Sequence, residues 1–130
     1  MFNNIILLTL ILGIDYIYLS LISSKYNQVV NTIQNSPLKL NYYKALGAYI
    51  FMFIGLKYLI INQINKKNKN NLVHLLKAFI LGLTIYGTYN FTNGAIFKDF
   101  NYKIMLIDTL WGSFLYTIIT FIYTKILNLI

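Results

Sequence analysis

The chain has 130 residues, of which 58% are hydrophobic and 11% are charged, whereas charged residues make up about a quarter of an ordinary soluble domain. The formal net charge is +8, and its positive part is entirely lysine; these lysines flank apolar runs, so anionic lipid head groups suit them better than nucleic acid does. Cysteine is absent and histidine occurs once, which excludes disulfides and thiolate chemistry and leaves a metal site poorly supplied.

Four apolar runs are long enough to cross a bilayer, which takes about 20 residues in a helix. They cover residues 3–22, 43–62, 73–93 and 103–128. The sequence therefore predicts an all-α integral membrane protein, a single transmembrane domain over residues 1–130 built as a four-helix bundle. No cofactor is implied.

The first run has no basic segment before it and no small-x-small cleavage site, and Asp15 interrupts it. We therefore expect an uncleaved span rather than a signal peptide.

In the connection that follows, Tyr26, Val29 and Ile33 recur at helical spacing among polar residues, which predicts a short amphipathic helix lying in the membrane interface. Pro37 would end this helix, because the residue before a proline is pushed out of the helical region.

The later connections are shorter, so sequential helices should be antiparallel neighbours with both termini on one side. Residues 62–71 are polar and charged, which predicts a solvated loop, and Gly94 is placed to cap the third helix.

Lysines are divided almost evenly between the two sides of the membrane. The positive-inside rule therefore gives only a slight preference for termini on the cytoplasmic side. Ala78 and Gly82 form a small-xxx-small pair, and packing within the bundle is favoured over a dimer contact.

Polar side chains from separate helices are predicted to meet at one depth. Asp15 lies roughly 12 Å, and Asp108 roughly 8 Å, from the same end of the bundle. The third helix brings Tyr86, Asn90 and Asn93 to that level at i, i+4, i+7. Further aromatic or polar residues at this level are Tyr89, Trp111, Tyr42, Tyr43, Lys44 and Tyr49.

An acid inside a membrane is costly and marks a functional site by default. The leading hypothesis is a site that binds, senses or transports a small polar ligand, an ion or a proton, formed by Asp15, Tyr86, Tyr89, Asn90, Asn93, Asp108 and Trp111. The alternative is a membrane scaffold or accessory subunit in which the same residues only fix helix packing. An enzyme is disfavoured, because no nucleophile lies beside a base and His74 is at the opposite end. The bilayer is the expected partner, while a homodimer or a larger membrane complex stays open.

The segment YGTYNFTN at residues 86–93, with Ala95, Lys98 and the segment DTLWG at 108–112, resembles the signature of a family of small predicted membrane proteins. The family is catalogued as domain of unknown function twenty-one seventy-seven, and its members look like YGTYDLTN followed by DMAWG. The resemblance implies a four-helix integral membrane protein and no known activity. Asn90 stands where the family often has aspartate, and Phe100 stands near its tryptophan. If an acid at position 90 served proton chemistry in the family, this chain would lack it.

Overall fold

The structure, a computed structural model, describes residues 2–64 and 71–127. In these two ranges the chain is helical and contains no strand: α1 spans Phe2–Gln34, α2 Tyr42–Ile54, α3 Asn71–Ile96 and α4 Tyr102–Ile126. A π-helical turn at Gly55–Ile60 and a 3-10 turn at Ile61–Gln63 prolong α2. α1, α3 and α4, and α2 together with its extension to Gln63, are each long and apolar enough to cross a membrane. The predicted all-α fold with four membrane-spanning helices is confirmed.

The first helix is longer than the sequence suggested. Residues 23–34 are helical, but they continue α1 without a break instead of forming a separate interfacial helix. The continuous α1 has 33 residues and is therefore about 50 Å long, against about 30 Å for the hydrocarbon core of a bilayer. The extension holds because Val29 is buried, with Tyr26 and Ile33 beside it, against Ile104 at the start of α4. The polar residues between these apolar ones do not break the helix; they lie on its exposed side.

Asparagine residues mark several helix ends. α1 ends at Gln34, and Asn35 follows with a φ of 52°, the left-handed conformation that asparagine tolerates after a helix. Asn41 caps α2 by accepting a hydrogen bond from the Lys44 amide. Asn101 caps α4 in the same way through its side-chain oxygen. Each cap supplies an acceptor for amides that have no partner inside the helix.

Gly94 does not cap α3, contrary to the sequence prediction. The helix continues through it to Ile96, and no glycine in the described ranges has a positive φ. A Cβ at position 94 would lie 2.8 Å from the Met105 sulfur. A larger residue at position 94 would therefore have to displace the flexible Met105 side chain of α4.

The closest helix approach joins α3 to α4. A Cβ on Gly82 would collide with the backbone carbonyl of Gly112, and a Cβ on Gly112 would collide with the ring of Tyr86. Ala78, one turn before Gly82, is fully buried. The small-xxx-small pair therefore serves packing within the chain, as expected.

Two apolar cores lie at different levels of the bundle. The larger one joins all four helices and includes Leu7, Leu56 and Ile119, while the smaller one joins the second half of α1 to the first turns of α4. Outward-facing residues such as Leu21 and Phe51 are more than 70% exposed, as expected of side chains that contact lipid. Most of the predicted loop at 62–71, and residue 128 of the predicted fourth span, lie outside the described residues.

Candidate functional site

Two short motifs, one on α1 and one on α4, are joined by reciprocal hydrogen bonds. In each, an aspartate is followed three residues later by an aromatic residue, Asp15 by Tyr18 and Asp108 by Trp111, so both members lie on one helix face. The Tyr18 hydroxyl donates to Asp108 Oδ1 at 2.9 Å, and the Trp111 Nε1 donates to Asp15 Oδ1 at 3.1 Å. Each helix thus supplies an acceptor to the other and receives a donor from it.

The two aromatic rings fill the space between the motifs. The Tyr18 and Trp111 rings stack with centroids 4.3 Å apart and planes only 8° from parallel. Stacking fixes both rings, and each ring aims its polar hydrogen at the carboxyl of the opposite helix. The arrangement therefore couples the position of Asp15 to that of Asp108 through the pair of rings.

The remaining helices complete the set of donors. The Tyr49 hydroxyl on α2 donates to Asp15 Oδ2 at 2.8 Å, and the Asn90 amide on α3 donates to Asp108 Oδ2 at 2.8 Å. All four carboxyl oxygens therefore accept a hydrogen bond, and each of the four helices contributes one donor. We call this set the carboxylate cluster; it consists of Asp15, Tyr18, Tyr49, Asn90, Asp108 and Trp111.

The carboxylate cluster contains two acids and no cationic donor. Asp15 is 6% exposed and Asp108 is 7% exposed, and the groups that donate to them are neutral phenol, indole and amide groups. Within the described part of the chain, no three His, Cys, Asp or Glu side chains come together to hold a metal ion. Hydrogen bonds lower the cost of burying a carboxylate, but they do not cancel its charge.

Two polar atoms near the cluster have no partner in the part of the chain that the structure describes. Asn90 is fully buried and its amide nitrogen donates to both Asp108 and the Tyr86 carbonyl, but its oxygen accepts nothing. The hydroxyl of Tyr116 is also buried without a partner, in a ring that meets the Tyr86 ring edge-on. A buried unpaired oxygen is costly, so this side of the cluster has capacity for one more donor.

Only some of the residues predicted for the site from the sequence belong to the carboxylate cluster. Asp15, Asn90, Asp108 and Trp111 come together as the core of the cluster. Tyr86 adjoins it through its backbone carbonyl and its buried ring, and its hydroxyl lies 4.0 Å from the Met52 sulfur.

The other two predicted residues lie outside the cluster. Tyr89 is 53% exposed, and its hydroxyl lies 3.3 Å from that of Tyr26. Asn93 is half-buried, and its side chain makes no hydrogen bond with the described residues. At the start of α2, Tyr42 and Tyr43 are more than 75% exposed and do not contribute.

Tyr18 was not among the residues predicted for the site, and Tyr49 was placed at the same depth without a role in it. The available signal was the repeated spacing, because Asp15 and Asp108 each have an aromatic donor three residues later. Tyrosine and tryptophan in a membrane helix are commonly attributed to the aromatic belt at the interface. An aromatic residue three positions after an aspartate is therefore easily overlooked as a hydrogen-bond donor. Tyr49 carries no comparable local signal, since its role depends on how α2 is rotated against α1.

The family of predicted membrane proteins known as DUF2177 matches residues 2–124, which is nearly the whole chain. The match includes both aspartate-aromatic motifs and all four helices. No curated protein and no solved structure is similar enough to match. The chain belongs to this family of predicted membrane proteins.

Proposed function

We propose that the carboxylate cluster binds a small monovalent cation within the membrane, and that this cation is a proton. The observation that carries the proposal is the pair of buried acids, Asp15 and Asp108, held by neutral donors alone. Two negative charges inside a membrane are costly, and neutral donors do not cancel their charge or the repulsion between them. A bound proton neutralises one of the two carboxylates and relieves the repulsion between them.

A proton fits the ligands better than a metal ion does. A metal would have to displace the hydrogens that already point at the carboxyl oxygens. A proton on a carboxyl needs only one acceptor, and the hydroxyls of Tyr18 and Tyr49 accept as readily as they donate. Asn90 offers a further acceptor, since rotation of its amide would present the unpartnered oxygen to Asp108. Three of the four partners can therefore adapt to an added proton by rotating a polar group.

The test is infrared spectroscopy of the full-length protein in lipid across a pH series. A protonated carboxylic acid has a carbonyl stretch that a carboxylate lacks, so the proposal predicts a pH-dependent acid band in the wild type. Asp15→Asn and Asp108→Asn should each reduce the band near neutral pH, and the double variant should lose it there, where exposed carboxyls are ionised. Asp99→Asn is the matched control, because Asp99 is the third and last acid of the chain and lies exposed in a connection.

Proton movement requires a second measurement. In sealed vesicles containing a pH-sensitive dye, transport predicts proton flux that the Asp15→Asn variant loses and the Asp99→Asn variant keeps. Sensing predicts the acid band without flux. The proposal fails if, near neutral pH, the wild type shows no acid band beyond that of the double variant.

One observation favours a second candidate, a purely structural role. Every oxygen of Asp15 and Asp108 already has a donor, and polar networks of this kind specify helix packing. A packing role predicts that Asp108→Asn destabilises the protein in detergent, that the wild type shows no acid band, and that its melting temperature does not respond to added cations. Loss of stability together with a normal acid band in the wild type would instead support proton binding.

A further inference from the structure

A second polar site opens at one end of the bundle. It is a cavity of about 650 Å³ between the last third of α1, residues 97–101 and the first two turns of α4. No member of the carboxylate cluster lines it, although Ile107, which does, precedes Asp108 in the chain. The cavity is therefore separate from the cluster and can be tested separately.

The rim of this cavity is cationic. Lys25 from α1, Lys98 from the connection and Lys103 from α4 line it, and Asp99 is the single acid among the lining residues. Three ammonium groups and one carboxylate give a net charge of +2. Side-chain hydrogen-bonding groups lie between the charges, on Gln28, Thr32 and Asn101.

The floor of the same cavity is apolar. Val29, Phe100, Ile104 and Ile107 form it, and Val29 and Ile104 belong to the smaller apolar core. An inorganic anion makes no favourable contact with an apolar floor. Here the lysines are arranged around a hydrocarbon surface, which suits a ligand that has an anionic head attached to a carbon chain.

The position of the cavity indicates the level of the membrane at which it lies. It adjoins the end of the long α1 and the loop between α3 and α4, so its rim lies where helices leave the hydrocarbon and meet head groups. Lysine at this level interacts favourably with anionic lipid, and each such lysine raises the affinity by about fivefold. Three lysines that line one cavity from different elements make a more specific site than lysines scattered along one helix.

We propose that this cavity binds a phosphate-bearing amphiphile. The phosphate lies between Lys25, Lys98 and Lys103, and the first carbons of its chains lie against Ile104 and Ile107. An anionic phospholipid has this chemistry, and inorganic phosphate has only the first half of it.

The test compares two double variants of the full-length protein in a neutral detergent. Lys98→Gln/Lys103→Gln removes two charges from the rim. Lys39→Gln/Lys44→Gln removes two exposed lysines at the same end of the bundle that do not line the cavity. Each protein is titrated with phosphatidylglycerol, with phosphatidylcholine and with inorganic phosphate, while the melting temperature and the number of retained lipids (by native mass spectrometry) are recorded.

The expected result is a rise in the wild-type melting temperature with phosphatidylglycerol and little rise with the other two ligands. The rim variant should bind phosphatidylglycerol about 25-fold more weakly, from two lysines at about fivefold each, while the control double variant should match the wild type. An equal loss in both variants would overturn the site, since it would show only a general attraction between surface charge and lipid. Equal stabilisation by inorganic phosphate would overturn the assignment of an amphiphile.

Discussion

At the scale of single residues, the reciprocal bonds of the two aspartate-aromatic motifs decide what each side chain contributes. Tyr18 and Trp111 each combine a stacked ring with one polar hydrogen. The ring fills space between α1 and α4, and the hydrogen satisfies a buried carboxyl of the opposite helix. Removing the hydrogen while keeping the ring separates these two contributions.

We expect Tyr18→Phe to lower the free energy of unfolding by about 1–3 kcal/mol, because it leaves Asp108 Oδ1 without its donor in a buried setting. The phenyl ring keeps the stack on Trp111. The measurement is reversible unfolding in mixed detergent micelles. Tyr16→Phe is the control, since Tyr16 lies on the same helix and is 71% exposed; its effect should stay within about 0.5 kcal/mol. Equal effects from the two variants would show that the Tyr18 hydroxyl is not used.

The Asn90 side chain is only partly satisfied, because its amide nitrogen donates to Asp108 and its oxygen has no partner among the described residues. Asn90→Asp places a third carboxyl against Asp108. Like charges at this distance in a membrane are strongly unfavourable. We therefore expect the variant to gain intensity in the acid band of the infrared spectrum relative to the wild type. Asn93→Asp, three residues later on α3 and outside the cluster, is the comparison; an equal gain there would contradict the assignment.

At the scale of helices, the chain is organised by the close contact of α3 and α4. Gly82 faces the Gly112 backbone, and Gly112 faces the Tyr86 ring, so the absence of side chains at both positions lets the two helices approach closely. The same approach brings Asn90 within 2.8 Å of Asp108. Helix spacing and the geometry of the cluster are therefore linked.

Gly82→Ala should destabilise the protein by about 1–3 kcal/mol, the usual effect of overpacking, and should also weaken the bond from Asn90 to Asp108. Gly13→Ala is the matched control, because a Cβ there meets no atom within 4 Å, and alanine is the better helix former by about 1 kcal/mol. Thermal unfolding of both variants in one detergent makes the comparison. The proposed link between α3 and α4 would be refuted if Gly82→Ala were as stable as Gly13→Ala.

Much of the helix arrangement was predictable from the sequence, because the thickness of the hydrocarbon core sets the length of an apolar run that crosses it. The four helices followed from that constraint, and so did the shared depth of Asp15 and Asp108. The continuity of α1 did not follow, since leaving the hydrocarbon changes the environment of a helix without ending it. Tyr18 and Tyr49 were not assigned because their roles depend on the rotation of each helix about its axis. That rotation is set by packing partners distant in sequence.

At the scale of the whole molecule, the orientation in the membrane can be tested because the chain has no cysteine. Single cysteines at Asn31, at Asp99 and at Gln63 would lie at exposed positions, the first two at one end of the bundle and the third at the other. With cytoplasmic termini, an impermeant maleimide added to intact cells should label the first two and should label position 63 only after permeabilisation. The reverse pattern would place the termini outside.

Ile17→Cys is the depth control for the same experiment. Ile17 is 61% exposed on the bundle surface, but it lies in the apolar half of α1, where lipid should exclude the maleimide. Labelling of Ile17→Cys in membranes at the rate of Asn31→Cys would show that this part of α1 is not embedded.

The reciprocal bonds between the first and last helices have a consequence for biogenesis. Trp111 is synthesised 96 residues after Asp15, the group to which it donates. During translation, α1 reaches the translocon long before α4 exists, and Tyr49 is the one cluster donor to Asp15 that emerges early. The nascent Asp15 therefore lacks its Trp111 donor until α4 has been synthesised, so the bond that joins the first and last helices forms only at the end of synthesis.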